Sequence, residues 1–241
     1  MSALALKRVT ADIQNIKRSN LEKEHIYVSV NDDDIFNFQA LIIGPETKDS
    51  PYQNGFYLFD ITVPSNYPFS PPKVKFMTLD GKTRFNPNLY KCGKVCLSVL
   101  NTWSGPGWTS AHTLTSVLVV LQSLLHEHPI QNEPGYEKED GVKSKNYNNV
   151  LAYQNINFAT IELIKNPPEK FEVFKDIMIK YLVNNIEKYN TFINSYMELD
   201  GLVLKSGIYN MTVKTEFKLL QEKLMLLYSE YEELYKEDIK K

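Results

Sequence analysis

Residues 50–76 read SPYQNGFYLFDITVPSNYPFSPPKVKF, and the order of residue types in them decides the fold class. The run GFYLFDITV (55–63) is apolar and aromatic, residues 64–72 are crowded with proline, and KVKFM (73–77) alternates. Proline has no N–H for a sheet ladder, so the crowded stretch reads as a connection and its flanks as strands. Upstream, HIYVSV (25–30) and FNFQALIIG (36–44) repeat the pattern, separated by the turn residues Asn31–Asp34 and closed by Gly44-Pro45. Four short runs joined by polar turns predict a four-stranded antiparallel meander with one face free to pack on helices.

Outside this block the period changes to that of a helix. Leu4, Leu6, Val9, Ile13 and Ile16 recur at roughly helical spacing over residues 3–18, with Ser2 available as the N-cap. SAHTLTSVLVVLQSLLHEH (110–128) carries Leu114, Leu118, Leu121 and Leu125 on one stripe, and Pro129 is expected to end it. Another helix is expected from Asn146 to about Lys165, stopped by Asn166-Pro167-Pro168. Apolar stripes then predict one helix through Phe171, Met178, Leu182 and Tyr189, and a last one through Phe217, Leu220, Leu224, Leu227 and Leu234. Such stripes pack as core far more often than they serve as grooves. The fold class is therefore α+β, with an N-terminal helix, the meander, further helices and an added helical C-terminal portion.

Composition narrows the function. A formal net charge of −2 gives no basic surface, so neither nucleic acid nor an anionic membrane is an expected partner. The start MSALALKRVTADIQNIKRSN turns polar too soon for a signal peptide, and no run reaches membrane-spanning length. Two cysteines make no disulfide framework, which points to a reducing cytoplasmic or nuclear setting.

Those cysteines, Cys92 and Cys96, lie in RFNPNLYKCGKVCLSVL (84–100). A zinc site wants four ligands, and the histidines His25, His112, His126 and His128 do not complete one. A bridge across so short a spacing is disfavoured in a reducing compartment. A cysteine hydrolase needs a histidine partner that no motif signals. Burial in a core and thiol chemistry remain open.

Here the chain resembles the ubiquitin-conjugating enzymes. ALKRVTADIQNIKR (5–18) resembles that family's first helix, and residues 50–76 resemble its third strand, Pro-rich loop and fourth strand. NPNLYKCGKVCLSVL (86–100) resembles its His-Pro-Asn signature, followed eight residues after the Asn by the active cysteine, a spacing that pairs Asn88 with Cys96 and not with Cys92. WTSAHTLTSVLVVLQSLL (108–125) resembles the helix that follows. The stretches GKVCLSVLNTWSGPGW, QSLLHEHPIQNEPGYE and KSKNYN further resemble the large, Z-type branch, which has an expanded loop between two tryptophans, here Trp103 and Trp108, and a helical C-terminal extension.

The resemblance implies a conjugating core over residues 1–165 and a helical extension over 166–241. It implies a partly exposed Cys96 beside a shallow groove, carrying ubiquitin or a ubiquitin-like modifier as a thioester and passing it to a substrate lysine. It gives Asn88 the task of steadying the oxyanion, the loop around it, or both, and assigns Glu133 of QNEPG to the incoming lysine. Without the resemblance, Glu133 reads as a surface acid before a proline turn. Cys92 is a bystander, or a redox partner of Cys96. No cofactor is expected, since ATP is consumed by the activating enzyme. Partners are the modifier, that activating enzyme, ligases and protein substrates. Lys7, Arg8, Lys17 and Arg18 on the first helix would meet the activating enzyme, while Phe69, Pro71, Trp103 and Pro106 would form the ligase patch. The sequence departs from the family pattern at Asn86, where the signature His would stand, which affects loop packing. It departs again at Ser98, where an acid is usual, making activity more dependent on a ligase or on the expanded loop. The rival readings are a catalytically silent binding module of the same fold and an unrelated cysteine hydrolase.

Overall fold

In the computed structural model, which describes residues 3–31, 33–47 and 49–235, α1 spans Ala3–Arg18. Its buried stripe is Ala5, Val9, Asp12, Ile13 and Ile16, whereas Leu4 and Leu6, expected on that stripe, are about half exposed. The expected Ser2 cap lies outside the described residues. Four strands follow as β1 (Ile26–Val30), β2 (Asn37–Ile43), β3 (Phe56–Thr62) and β4 (Lys73–Phe76), paired in that order as an antiparallel meander. Register places Tyr27 opposite Leu41 and Phe59 opposite Phe76. Tyr57, Leu58 and Phe59 are all fully buried, so β3 is covered on both faces rather than one.

The chain divides into two compact units, residues 1–44 with 57–125, and residues 45–56 with 126–241. In the first, α1 lies against α2 (Leu114–Ser123), whose Leu114, Val117, Leu118 and Leu121 are buried. Thr113 and Ser116 exchange side-chain-to-backbone hydrogen bonds of 3.1 and 3.0 Å, a capping box that fixes where α2 begins. The helix ends at Ser123, well before Pro129, because the chain turns inward at Leu124 and Leu125, and the Leu124 carbonyl accepts from the Asn86 side chain instead of a further helical turn.

Asp12, 1 % exposed, ties α1 to the start of α2. Its carboxylate accepts from the Leu114 N–H at 3.2 Å, from the Tyr67 hydroxyl, and from Arg8 Nε at 3.1 Å. Arg8 also donates to the carbonyls of Ser110 and His112, at 3.0 and 2.6 Å. Arg8, expected with Lys7, Lys17 and Arg18 to face the activating enzyme, is instead half-buried with its guanidinium bound inside this unit, while the other three are exposed. Arg8→Ala leaves the Asp12 charge short of its cation, and we expect a loss of about 2 kcal/mol in urea unfolding.

In the second unit α3 (Val142–Ile156) runs through a π-turn at Asn157–Glu162 into α4 (Leu163–Lys165). The Thr160 hydroxyl donates to the Asn155 carbonyl at 2.9 Å, a side-chain insertion into the ladder that accounts for the widened turn. The single helix expected through Phe171–Tyr189 is instead a 3₁₀ segment, α5 (Lys175–Asn184) and α6 (Ile186–Ser195). Asn185 makes the break, its side-chain amide donating to the Tyr181 carbonyl at 2.9 Å. A short hairpin of β5 (Val203–Lys205) and β6 (Thr212–Lys214), not anticipated from the sequence, precedes α7 (Phe217–Tyr235). Tyr181 and Tyr189 donate to the side chain and the carbonyl of Asn54 at 2.9 and 2.6 Å, fixing the loop between β2 and β3 against α5 and α6.

Burial raises the pKa of Tyr67, helped by the Asp12 hydrogen bond, raises that of Tyr189, and pushes Tyr196 up to about 12. A phenol with a raised folded-state pKa stabilises fully below its unfolded value, 10.0, and loses that contribution as pH climbs toward the folded value. Melting temperature should therefore fall steadily between pH 10 and 12. Tyr67→Phe should flatten part of that slope.

Candidate active site

Residues 84–102 form a loop anchored to the sheet by Phe85, whose ring meets Tyr57 and Phe76 edge-on at 5.9 and 6.1 Å. Asn86 is wholly buried and organises the turn: its Oδ1 accepts from the Asn88 N–H at 2.9 Å and its Nδ2 donates to the Leu124 carbonyl at 2.8 Å. A donor and an acceptor on one short side chain are what this position uses, and Asn supplies both.

The next turn brings the chain alongside β4. Tyr90 and Lys94 share a backbone hydrogen bond of 2.9 Å, and the Gly93 carbonyl accepts from Phe76 N–H at 2.9 Å. Gly93 has φ +90°, and a Cβ there would sit 2.9 Å from the Phe76 carbonyl oxygen, so only glycine allows the approach. Cys92 lies in this turn and is exposed, with Arg84 stacked over the Tyr90 ring at 3.8 Å. Both cysteines are free.

Cys96 follows in an extended segment held from two sides. Its N–H donates to the Asn88 carbonyl at 2.9 Å while Asn88 Nδ2 donates to the Cys96 carbonyl at 2.6 Å, so the two residues clasp each other. Asn88 Oδ1 is buried with no partner. From the other side the Thr102 hydroxyl accepts from the Leu97 N–H and donates to the Val95 carbonyl, each at 2.9 Å. Cys96 is 2 % exposed, which corrects the expectation of a partly open thiol.

The loop between the tryptophans packs against the segment that follows Cys96. Asn101 adopts φ +54° and accepts from the Trp108 N–H at 2.8 Å, bending the loop back on itself. Trp108 is anchored, its indole N–H donating to the Pro68 carbonyl at 2.7 Å and its ring stacking on His112. Gly105 comes so close to Ser98 that a Cβ would stand 3.2 Å from the serine Cβ. The loop thus folds down two residues from the candidate nucleophile, at the position where Ser98 replaces the usual acid. A groove of about 440 Å³ runs beside the same segment, lined by Pro71, Pro72, Lys73, Val95, Leu100 and Thr102. Phe69 (70 % exposed), Trp103 (47 %) and Pro106 stand out in solvent.

Glu133 belongs to the second unit. It closes the 3₁₀ turn Pro129–Asn132 through its N–H to the Ile130 carbonyl at 3.0 Å, and its Oε2 accepts from the Tyr209 hydroxyl at 2.5 Å. Tyr209, Thr102 and Asn101 were not singled out from the sequence, because a hydroxyl or amide that fastens one loop has no fixed spacing to betray it.

The sequence model of the ubiquitin-conjugating enzymes matches residues 8–155. Over 233 residues the chain is 34% identical to a ubiquitin-conjugating enzyme E2 Z of Xenopus tropicalis, covering 96% of this chain and 73% of that protein. It is 37% identical to the human E2 Z over 202 residues, covering 83% of this chain but only 56% of the longer relative. A crystal structure of a Plasmodium yoelii protein taken to be a ubiquitin conjugating enzyme superposes with a TM-score of 0.51 at 25% identity, covering 66% of this chain and 97% of that one. The α+β architecture, the ordered motifs and these matches agree: the chain belongs to the ubiquitin-conjugating enzyme family and resembles its E2 Z branch over most of its length.

Proposed function

We propose that the chain accepts ubiquitin or a ubiquitin-like modifier from an activating enzyme as a thioester on Cys96 and passes it to a substrate lysine, usually with a ligase. In loading, the Cys96 sulfur attacks the modifier's thioester carbonyl. The new C–S bond forms, the bond to the activating enzyme's sulfur breaks, and the Cys96 proton leaves with that thiol. In transfer, a lysine amine attacks the same carbon, the C–N bond forms, and the Cys96 thiolate departs. A thiol suits both halves because it is a strong nucleophile and a good leaving group. Asn88 supplies an amide N–H for the oxyanion, and Glu133 takes up the amine proton.

The observation that carries the reading is the mutual clasp of Asn88 and Cys96, eight residues apart in the register of the family's active site. Lys7, Lys17 and Arg18 on α1 present a basic face to the activating enzyme, and Phe69 serves as the apolar anchor for a ligase, with Pro71, Trp103 and Pro106 around it. Arg8 contributes by holding α1 in place. The reading sets this work in the cytoplasm or nucleus.

One observation favours another reading. The covered Cys96 sulfur suits a silent module that carries partners without transferring anything. Incubation with activating enzyme, ATP and each of several modifiers decides between them. An adduct on this chain that thiol reductant removes supports the enzyme. No adduct with any modifier supports the silent module.

A further inference from the structure

The β5–β6 hairpin buries little: Val203, Lys205, Thr212 and Lys214 are all exposed. Its connecting loop is nevertheless tightly specified. The Ser206 N–H donates to the Met211 carbonyl at 3.0 Å, the buried Ser206 hydroxyl donates to the Ile208 carbonyl, and Gly207 has φ +75°. Tyr209 and Asn210 follow with φ +58° and +51°. Two successive non-glycine residues in the left-handed region are unusual, most of all a bulky aromatic one, and such backbones persist only where the surroundings over-determine them.

The consequence of this conformation is the placement of one hydroxyl. The Tyr209 ring stands edge-on to Tyr147 of α3 at 5.8 Å and 69°, and Tyr147 is wholly buried, so the phenol has little freedom. From there its hydroxyl donates to Glu133 Oε2 at 2.5 Å, the length of a charge-assisted O–H···O⁻ bond. Glu133 itself needs such a hold. Its backbone is fixed in a turn by Ile130 and Tyr136, and its half-exposed side chain has several rotatable bonds for that hydrogen bond to restrain. An acid that must meet an amine with sub-ångström accuracy works well only when its rotamer is locked by a second group.

We propose that Tyr209, delivered by the hairpin of the C-terminal extension, is a positioning residue that locks the Glu133 carboxylate for the incoming lysine. This rests on the reading of Glu133 as the acid of the transfer step. It gives the extension a part in the second half-reaction and none in the first. The tyrosine proton stays on the phenol throughout, and Glu133 alone exchanges a proton with the amine.

The test loads the full chain with the modifier that charges it, removes ATP, and follows discharge over a range of free lysine concentrations, with hydroxylamine in parallel. Hydroxylamine is already unprotonated at neutral pH and attacks without help from a carboxylate. Tyr209→Phe keeps the ring against Tyr147 and should lower the maximal rate with lysine by about tenfold, within the hundredfold that a misplaced catalytic group can cost. Its lysine KM, charging rate, melting temperature and hydroxylamine discharge should match wild type. Glu133→Gln should slow lysine discharge by about 100-fold, and adding Tyr209→Phe to it should slow it no further, since the two act through one bond. Glu133→Asp, which draws the carboxylate back from the phenol without touching the hairpin, should reproduce the Tyr209→Phe loss and serves if that variant fails to fold. A slow Glu133→Gln with a wild-type Tyr209→Phe overturns the role of Tyr209 and leaves Glu133 standing. A wild-type Glu133→Gln overturns the acid and this inference with it. Equal slowing of lysine and hydroxylamine by Tyr209→Phe reduces the bond to a structural staple and also overturns it.

Discussion

Cys96→Ala abolishes adduct formation, Cys96→Ser leaves an adduct that thiol reductant cannot remove, and Cys92→Ala charges at the wild-type rate. These are the expected outcomes of a gel assay with activating enzyme, ATP and modifier. A serine oxygen forms an oxyester, which reductant does not cleave, so its appearance identifies position 96 as the acyl carrier. Position alone would mislead here, because the exposed thiol is Cys92 and the covered one is Cys96. A small alkylating reagent should label Cys92 first in the resting protein and reach Cys96 slowly, since reaction requires both thiolate and access. The assignment of the nucleophile is lost if Cys92→Ala blocks charging while Cys96→Ala does not.

The contrast between those two thiols marks where the sequence stops being readable. Strand existence and order followed from residue alternation and from prolines that no inner strand tolerates, and the four-stranded meander is as expected. Helix ends were read less well. Pro129 is a strong stop signal, but α2 had already ended because Asn86, far away in sequence, claims the Leu124 carbonyl. Asn185 splits a continuous apolar stripe for a similar reason, its amide competing for the Tyr181 carbonyl. The β5–β6 hairpin is only a few residues long and carries no alternation strong enough to announce it. In the candidate site, the motif order picked out the paired Asn88 and Cys96, whereas the burial of Cys96 could not be read, because single hydroxyls and amides such as Thr102, which fasten the neighbouring chain, have no fixed spacing in the sequence. Arg8 taught the same lesson in reverse. A basic residue on an amphipathic helix reads as solvated, and only three-dimensional packing reveals the buried Asp12 it serves.

Asn88→Ala should slow transfer from the loaded chain to lysine by about 10²–10³, the usual cost of one lost oxyanion donor, while slowing the loading step much less. The asymmetry follows from how Asn88 is held. In the resting protein its Nδ2 donates to the Cys96 carbonyl at 2.6 Å, and its Oδ1 is buried with nothing to accept from. An orphaned buried acceptor is unfavourable by about 1–3 kcal/mol, so Asn88 holds this position at some expense to stability. Nδ2 carries a second N–H besides the one on the Cys96 carbonyl, and that hydrogen is the one available to the developing negative charge. The main-chain half of the clasp, Cys96 N–H to the Asn88 carbonyl, survives in the alanine variant, and so does the Asn86 hold on the Asn88 N–H. The loop should therefore keep its shape, with the melting temperature close to wild type, and the thiol should still be loaded by an activating enzyme that brings its own catalytic groups. Asn88→Asp sharpens the comparison, since it keeps the volume, removes the donor, and sets a negative charge against both the Cys96 carbonyl and the oxyanion. It should be at least as slow in transfer as alanine. Equal losses in loading and transfer, accompanied by a fall in melting temperature, would instead mean that Asn88 only shapes the loop.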